Sequence, residues 1–238
     1  MRRTLGTKTV AAMLGAGALT AGSLGFAATA HAATGGTALT TASSKGCAPT
    51  GKHVPKGAAK ADAGDVDGDG RNDKVWVSDD RKGFQTASGA VFSQKIANAG
   101  GPEVGVFAVH LANDVVALVE QGRTTYVSGL ANCKLKKTVD GKGDQIGFNR
   151  GFSSPYRDLG CLADDDYTDL NALTLGHNTK YKKAWSVQQT VLKVSANGGK
   201  ATNGASTVKR YPSRAKALKA LDNLASSKTC STEIASQV

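Results

Sequence analysis

Short runs of alternating apolar and polar residues, broken every few positions by Gly, Asn or Asp, fill most of this chain beyond residue 74. That period-two pattern places successive side chains on opposite faces of a strand, and turn residues at such short intervals leave no room for long helices. The runs cover 74–77, 104–110, 115–120, 124–128, 133–139, 170–175, 185–194 and 201–209. Segment 83–96 reads as a hairpin turning at Ser88-Gly89, and Ala112-Asn113-Asp114 joins two further strands. The expected fold is all-β, with antiparallel sheets in a small propeller-like or barrel-like domain. Segment 212–226 is the exception. Ala217, Leu218, Leu221, Leu224 and Ala225 recur at helical spacing behind a capping Ser213, which predicts a C-terminal helix lying over one end of the sheet.

The amino terminus carries an export signature. Arg2, Arg3 and Lys8 precede an apolar stretch rich in Ala, Gly and Leu, and Ala30-His31-Ala32 fits a small-x-small cleavage site. Residues 1–32 are therefore expected to be a signal peptide, and the protein to be secreted. A Gly/Ser/Thr-rich linker over 33–46 follows, then one β-rich domain over 47–230 and a tail over 231–238. Four cysteines lie beyond the leader: Cys47, Cys133, Cys161 and Cys230. An even count in an exported chain implies two disulfides, of which three pairings are possible. The preferred pairing is Cys133–Cys161, closing a short loop, with Cys47–Cys230 clasping the domain ends. No C-x-x-C spacing suggests zinc.

Chemistry concentrates in Gly64-Asp65-Val66-Asp67-Gly68-Asp69-Gly70-Arg71-Asn72-Asp73. Carboxylates at i, i+2 and i+4 in a glycine-rich loop can converge on one hard cation, and Asp73 can close the shell. Arg71 would offer its main-chain carbonyl, its side chain turned away. An oxygen-only donor set with several negative charges suits Ca2+ better than Mg2+ or Zn2+. The twelfth loop position, where an EF-hand needs Glu, is Trp76, and a strand follows the loop rather than a helix. The D-x-D-x-D-G-x-x-D spacing of Asp65, Asp67, Asp69, Gly70 and Asp73 resembles instead the calcium loops of FG-GAP/VCBS-type repeats, the blades of integrin-like β-propellers, as found in secreted actinobacterial proteins. The resemblance covers about residues 62–96 and implies a structural Ca2+ in a blade-like unit. A degenerate second copy is suggested by Asp164, Asp165, Asp166 and Asp169, with Asp169 aligned on Asp73. Two ligand positions and the glycines are missing there, so it reads as an acidic turn.

Catalytic signatures are sparse. There is no H-E-x-x-H and no G-x-S-x-G. His53, His110 and His177 are scattered. Glu120, at a strand end, reads as an exposed carboxylate. The chain is basic, with 30 Lys+Arg against 19 Asp+Glu and a formal net charge of +11. Lys134, Lys136, Lys137 and Lys142 form one cluster, and Lys180, Lys182 and Lys183 form another beside Tyr181 and Trp185. Such clusters fit an anionic cell-wall polymer or an acidic glycan. The expected function is a secreted, non-enzymatic, calcium-binding β-module acting outside the cell or at its envelope. The competing readings are a small hydrolase on the same scaffold and an extracellular inhibitor or effector.

Overall fold

The computed structural model describes residues 46–98, 103–151, 155–163, 168–178, 184–230 and 233–237. The expected signal peptide, nearly all of the expected linker, Asp164–Asp166 and the cluster around Lys180 lie outside them. The described residues belong to the unit Thr41–Val238.

Three antiparallel sheets hold about half of the described residues. The first is a meander of β1 (Ala59–Gly64), β2 (Asp73–Val77), β3 (Arg81–Gln85) and β4 (Val91–Lys95). The second contains β5 (Gly105–His110), β6 (Val116–Gln121), β7 (Thr125–Ala131) and β8 (Lys134–Lys137), with the short β9 (Gly147–Phe148) on β7. The third is a meander of β10 (Arg157–Ala163), β11 (Thr168–Asn178), β12 (Ala184–Val194) and β13 (Ala201–Tyr211). Helix α1 (Arg214–Leu224) and the single-turn α2 (Ser226–Thr229) follow, and β14 (Ala235–Ser236) pairs with β5. Residues 235–236, within the segment expected as a tail, thus pair into the second sheet.

The second sheet lies between the other two, and its sequence shows why. In β5 and β6 the apolar residues do not alternate with polar ones; they alternate between two cores. Val106, Val116, Leu118 and Leu130 pack with Val75, Val77, Phe84 and Phe92 of the first sheet. Phe107, Val109, Ala117, Val119 and Val127 pack with Leu159, Leu170 and Leu192 of the third. A strand buried on both faces carries apolar residues on both, as 116–119 does. On the third sheet's far face, Leu173, Leu175 and Val187 meet Ala217 and Leu221 of α1. Ser213 caps that helix by accepting from the Lys216 N–H. The layers run sheet, sheet, sheet, helix. Among the described residues no sheet closes into a barrel.

The two disulfides are Cys47–Cys133 and Cys161–Cys230, which corrects the expected pairing. The middle sheet is the physical reason. Cys47 is buried in the core on its first-sheet side, whereas Cys161 and Cys230 belong to the core on its other side. The Cα separations are 5.5 Å and 4.8 Å, within ordinary disulfide reach. Cys133 occupies, with Asn132, the two-residue turn between β7 and β8, both residues at positive φ. Two disulfides indicate an oxidising, extracellular setting. No helix among the described residues is long and apolar enough to cross a membrane.

Candidate metal centre

The acidic loop joins β1 to β2, and its curl is set by local hydrogen bonds. The Asp65 carboxylate accepts from the backbone N–H groups of Gly68 (2.7 Å), Asp69 (3.1 Å) and Gly70 (2.7 Å). Gly68 and Gly70 sit at φ 76° and 80°, the left-handed region that side chains resist, so the loop can wrap this tightly only with glycine there.

Asp73, the first residue of β2, is fully buried. One of its oxygens accepts from the Val66 N–H and the other from the Ala87 N–H, both at 2.7 Å. It therefore ties the loop to the β3–β4 hairpin. Burial pushes the Asp73 carboxyl above its ordinary value. The two N–H bonds pull the other way, while the Asp67 and Asp65 charges add to the rise. Asp67 points toward the amino-terminal segment. Its Oδ2 accepts from the Cys47 N–H at 2.7 Å and lies 3.0 Å from the Ser88 hydroxyl. Its Oδ1 is buried and has no hydrogen-bond partner.

Carboxylate oxygens of Asp65, Asp67 and Asp73 lie within 4.8 Å of one another. Oxygens on opposite sides of one Ca2+ sit about 5 Å apart, given Ca–O distances of about 2.3–2.6 Å. The spacing fits a single cation, and the orphaned Asp67 Oδ1 is an acceptor that such a cation would satisfy. Asp65, Asp67 and Asp73 are the residues that would hold it.

The Asp69 carboxylate does not join this group. The Arg71 guanidinium contacts Asp69 Oδ2 through Nη2 (2.5 Å) and Nε (2.9 Å), and its N–H binds Asp69 Oδ1 at 2.9 Å. The hydrogen bonds from Arg71 hold the Asp69 carboxyl below its usual value. The exposed guanidinium, two residues from this carboxylate, pairs with it. Trp76, at the EF-hand closing position, is buried in β2.

Sequence reasoning missed the outer partners, Cys47 N–H, Val66 N–H, Ala87 N–H and Ser88. The first and the last two come from segments remote from the loop. Only Ser88-Gly89, read as a hairpin turn, lay near a recognised feature.

A pocket of about 840 Å³ opens beside the loop, lined by Asp65, Asp67, His110, Asp114 and the Cys47–Cys133 disulfide among others. No serine is among its lining residues. The His110 Nε2 lies 2.7 Å from the Ala63 carbonyl oxygen. His177 packs on Trp185 in a tilted arrangement with ring centroids 4.6 Å apart, and Arg214 lies over the same indole. His53 is exposed. Asp169, in β11, is exposed too. Lys134, Lys136 and Lys137 are exposed along β8 at the sheet edge, with Lys142 in the following turn. Lys200 joins them, because Val139 bridges to it and the Gly199 carbonyl accepts from the Val139 N–H. Compared with protein-family models, with curated proteins and with solved structures, the chain matches none of them.

Proposed function

We propose that this chain is a secreted, non-catalytic β-module in which Asp65, Asp67 and Asp73 bind Ca2+ and a basic edge holds an anionic polymer. One observation carries the metal assignment: Asp67 Oδ1 is buried without a hydrogen-bond partner beside two more carboxylates. A buried, uncompensated carboxylate oxygen costs on the order of 1–3 kcal/mol, which a divalent cation would offset. The loop's likeness to FG-GAP calcium loops supports the choice of Ca2+. The ion's role is structural. It would lock the loop against the Cys47 segment and the Ala87 backbone, because those groups already hold the ligands' other oxygens.

The polymer reading is supported by Lys134, Lys136, Lys137 and Lys142, with Lys200 brought alongside by the fold. Phosphodiester or uronate chains in an envelope carry the complementary charge.

Calorimetry on chelator-treated protein titrated with Ca2+ tests the metal. Binding heat together with a raised melting temperature is expected, and Asp67→Asn should abolish both. Neither signal in the unsubstituted protein overturns the assignment. Retention on immobilised teichoic acid or polyuronate should fall when Lys134, Lys136 and Lys137 are changed to Gln. Unchanged retention would remove the polymer from the account.

A further inference from the structure

A second charged cluster lies far from the metal loop, between the first and second sheets. Lys82 of β3 and Glu120 of β6 are both fully buried, with side-chain exposures of 1% and 0%. The Lys82 Nζ and Glu120 Oε2 are 2.5 Å apart. The exposed strand-end carboxylate expected at Glu120 is therefore an interior group. Its other oxygen, Oε1, accepts from the Asn98 side-chain Nδ2 at 2.6 Å and from the Asn98 N–H at 2.7 Å. The Ala97 N–H also reaches the carboxylate. One carboxylate thus holds an amine on one oxygen and a carboxamide on the other.

The Asn98 carboxamide is fixed in orientation. Its Oδ1 accepts from the Thr124 N–H at 3.0 Å, and its Nδ2 donates to the Thr124 carbonyl at 2.8 Å. The Gly122 backbone lies against it, since a Cβ there would sit 2.8 Å from Asn98 Cγ. A backbone N–H on a carbonyl oxygen polarises it and would stabilise an oxyanion formed there.

An ammonium has three donors, yet among the described residues the Lys82 amine has only Glu120 as a hydrogen-bond partner. Burial pushes the Lys82 amine below its ordinary value, against the pull of Glu120. Burial alone would raise the Glu120 carboxyl, but Lys82 and the Ala97 and Asn98 N–H groups outweigh it, leaving the carboxyl lowered. A proton passed from Nζ to Oε2 gives a neutral amine and a neutral acid without changing the pair's net charge. A buried ion pair pays a desolvation cost that a neutral, covalent product does not.

We propose that Lys82 and Asn98 condense into an intramolecular isopeptide bond, with Glu120 relaying the proton. The neutral Nζ attacks Asn98 Cγ, forming the C–N bond and placing charge on Oδ1 beside the Thr124 N–H. Glu120 gives its proton to Nδ2 and recovers one from Nζ. The Cγ–Nδ2 bond breaks and ammonia leaves. No oxidant, metal or co-reactant takes part. The product ties β3 to the segment beyond β4, in the wall that meets the second sheet.

Peptide mapping by mass spectrometry of the unsubstituted, reduced and alkylated protein tests this. The expected result is one branched peptide joining the Lys82 and Asn98 segments, lighter by one ammonia, about 17 Da, than their sum with a free amine and carboxamide. Lys82→Arg keeps the positive charge but removes the nucleophile, and Glu120→Gln removes the proton relay; both should restore two unmodified peptides. Separate, unmodified peptides from the unsubstituted protein overturn the proposal even if neither variant folds. So does an ammonia loss confined to the Asn98 peptide and retained in Lys82→Arg, the mark of a succinimide.

Discussion

The first and third sheets are both four-stranded meanders, and in both an acidic segment separates the first strand from the second. In the first, Asp73 pairs across with Gly64 at the mouth of the loop; in the third, Asp169 pairs with Leu162 one step in from the Ala163–Thr168 pair at the mouth. Aligning Asp169 on Asp73 in the sequence therefore superposes second strand on second strand. The side chains have opposite fates. Asp73 is buried and holds two backbone N–H groups, whereas Asp169 is exposed. The strands differ as well: 6, 5, 5 and 5 residues in the first sheet against 7, 11, 11 and 11 in the third. The order of strands is the same, but only the first meander has the glycines that let a loop fold its carboxylates inward.

The disulfides give the largest test of that contrast. Replacing either pair with Ser should cost about 2–5 kcal/mol, because each closes a long loop in the unfolded chain. The effect on Ca2+ should separate them. Cys47 donates its N–H to Asp67, so losing Cys47–Cys133 frees a segment that positions a ligand. Cys161–Cys230 ties the third sheet to the end of α2. Denaturant melts should show similar losses for the two pairs, with calcium affinity reduced only for Cys47/Cys133. Equal affinity in both variants would break the link between the amino-terminal segment and the site.

Asp73→Asn comes next. An amide presents one acceptor oxygen where the carboxylate presents two, so the Val66 or Ala87 N–H is stranded in a buried site. The expected cost is about 1–3 kcal/mol in chelator. In the presence of Ca2+ the apparent loss should grow, because the variant also forfeits the ion's contribution. A loss that is identical with and without Ca2+ would take Asp73 out of the coordination shell.

Most of the architecture was legible in the sequence, because alternation and turn residues are local signals. The hairpin at Ser88-Gly89, the β5–β6 pair and the Ser213-capped helix all lie where the pattern put them. The acidic loop was legible for the same reason: its ligands are close in sequence. What escaped was set by non-local packing. The alternation in 116–119 between two cores could not be assigned until both neighbouring sheets were known. The disulfide pairing depends on which side of the middle sheet each cysteine occupies. Glu120 reads like any strand-end carboxylate until β3 lays Lys82 against it. Asp69 differs from Asp67 only in having Arg71 two residues on, a pairing that the calcium-loop pattern conceals.

The pH dependence of the calcium effect should be smaller. Burial raises the carboxyls of Asp73 and Asp158 above the ordinary 3.8. The folded chain therefore binds more protons than the unfolded chain between that value and the folded pKa. These groups' contribution to stability falls as pH rises through that window. Ca2+ binding needs the ionised form and works in the opposite direction at Asp73. The melting-temperature gain from saturating Ca2+ should be greater at pH 7 than at pH 5. About 2.7 kcal/mol is the gain at a hundredfold excess over Kd, or several degrees for a domain of this size. A larger gain at pH 5 would show that the cation does not act through a carboxylate whose pKa burial has raised.

The smallest expected effect is at Asp169. As an exposed carboxylate on β11, its conversion to Asn should change stability by less than about 0.5 kcal/mol. The calcium-dependent shift should also be untouched, since the spacing that brings Asp65, Asp67 and Asp73 within 4.8 Å of one another involves nothing from the third sheet. Paired melts of Asp169→Asn and Asp73→Asn at matched Ca2+ set the two meanders side by side. A loss of calcium response at Asp169 as large as that at Asp73 would mean that the third sheet also carries a working site. Exposure of the carboxylate would then be no guide to which copy of the loop holds an ion.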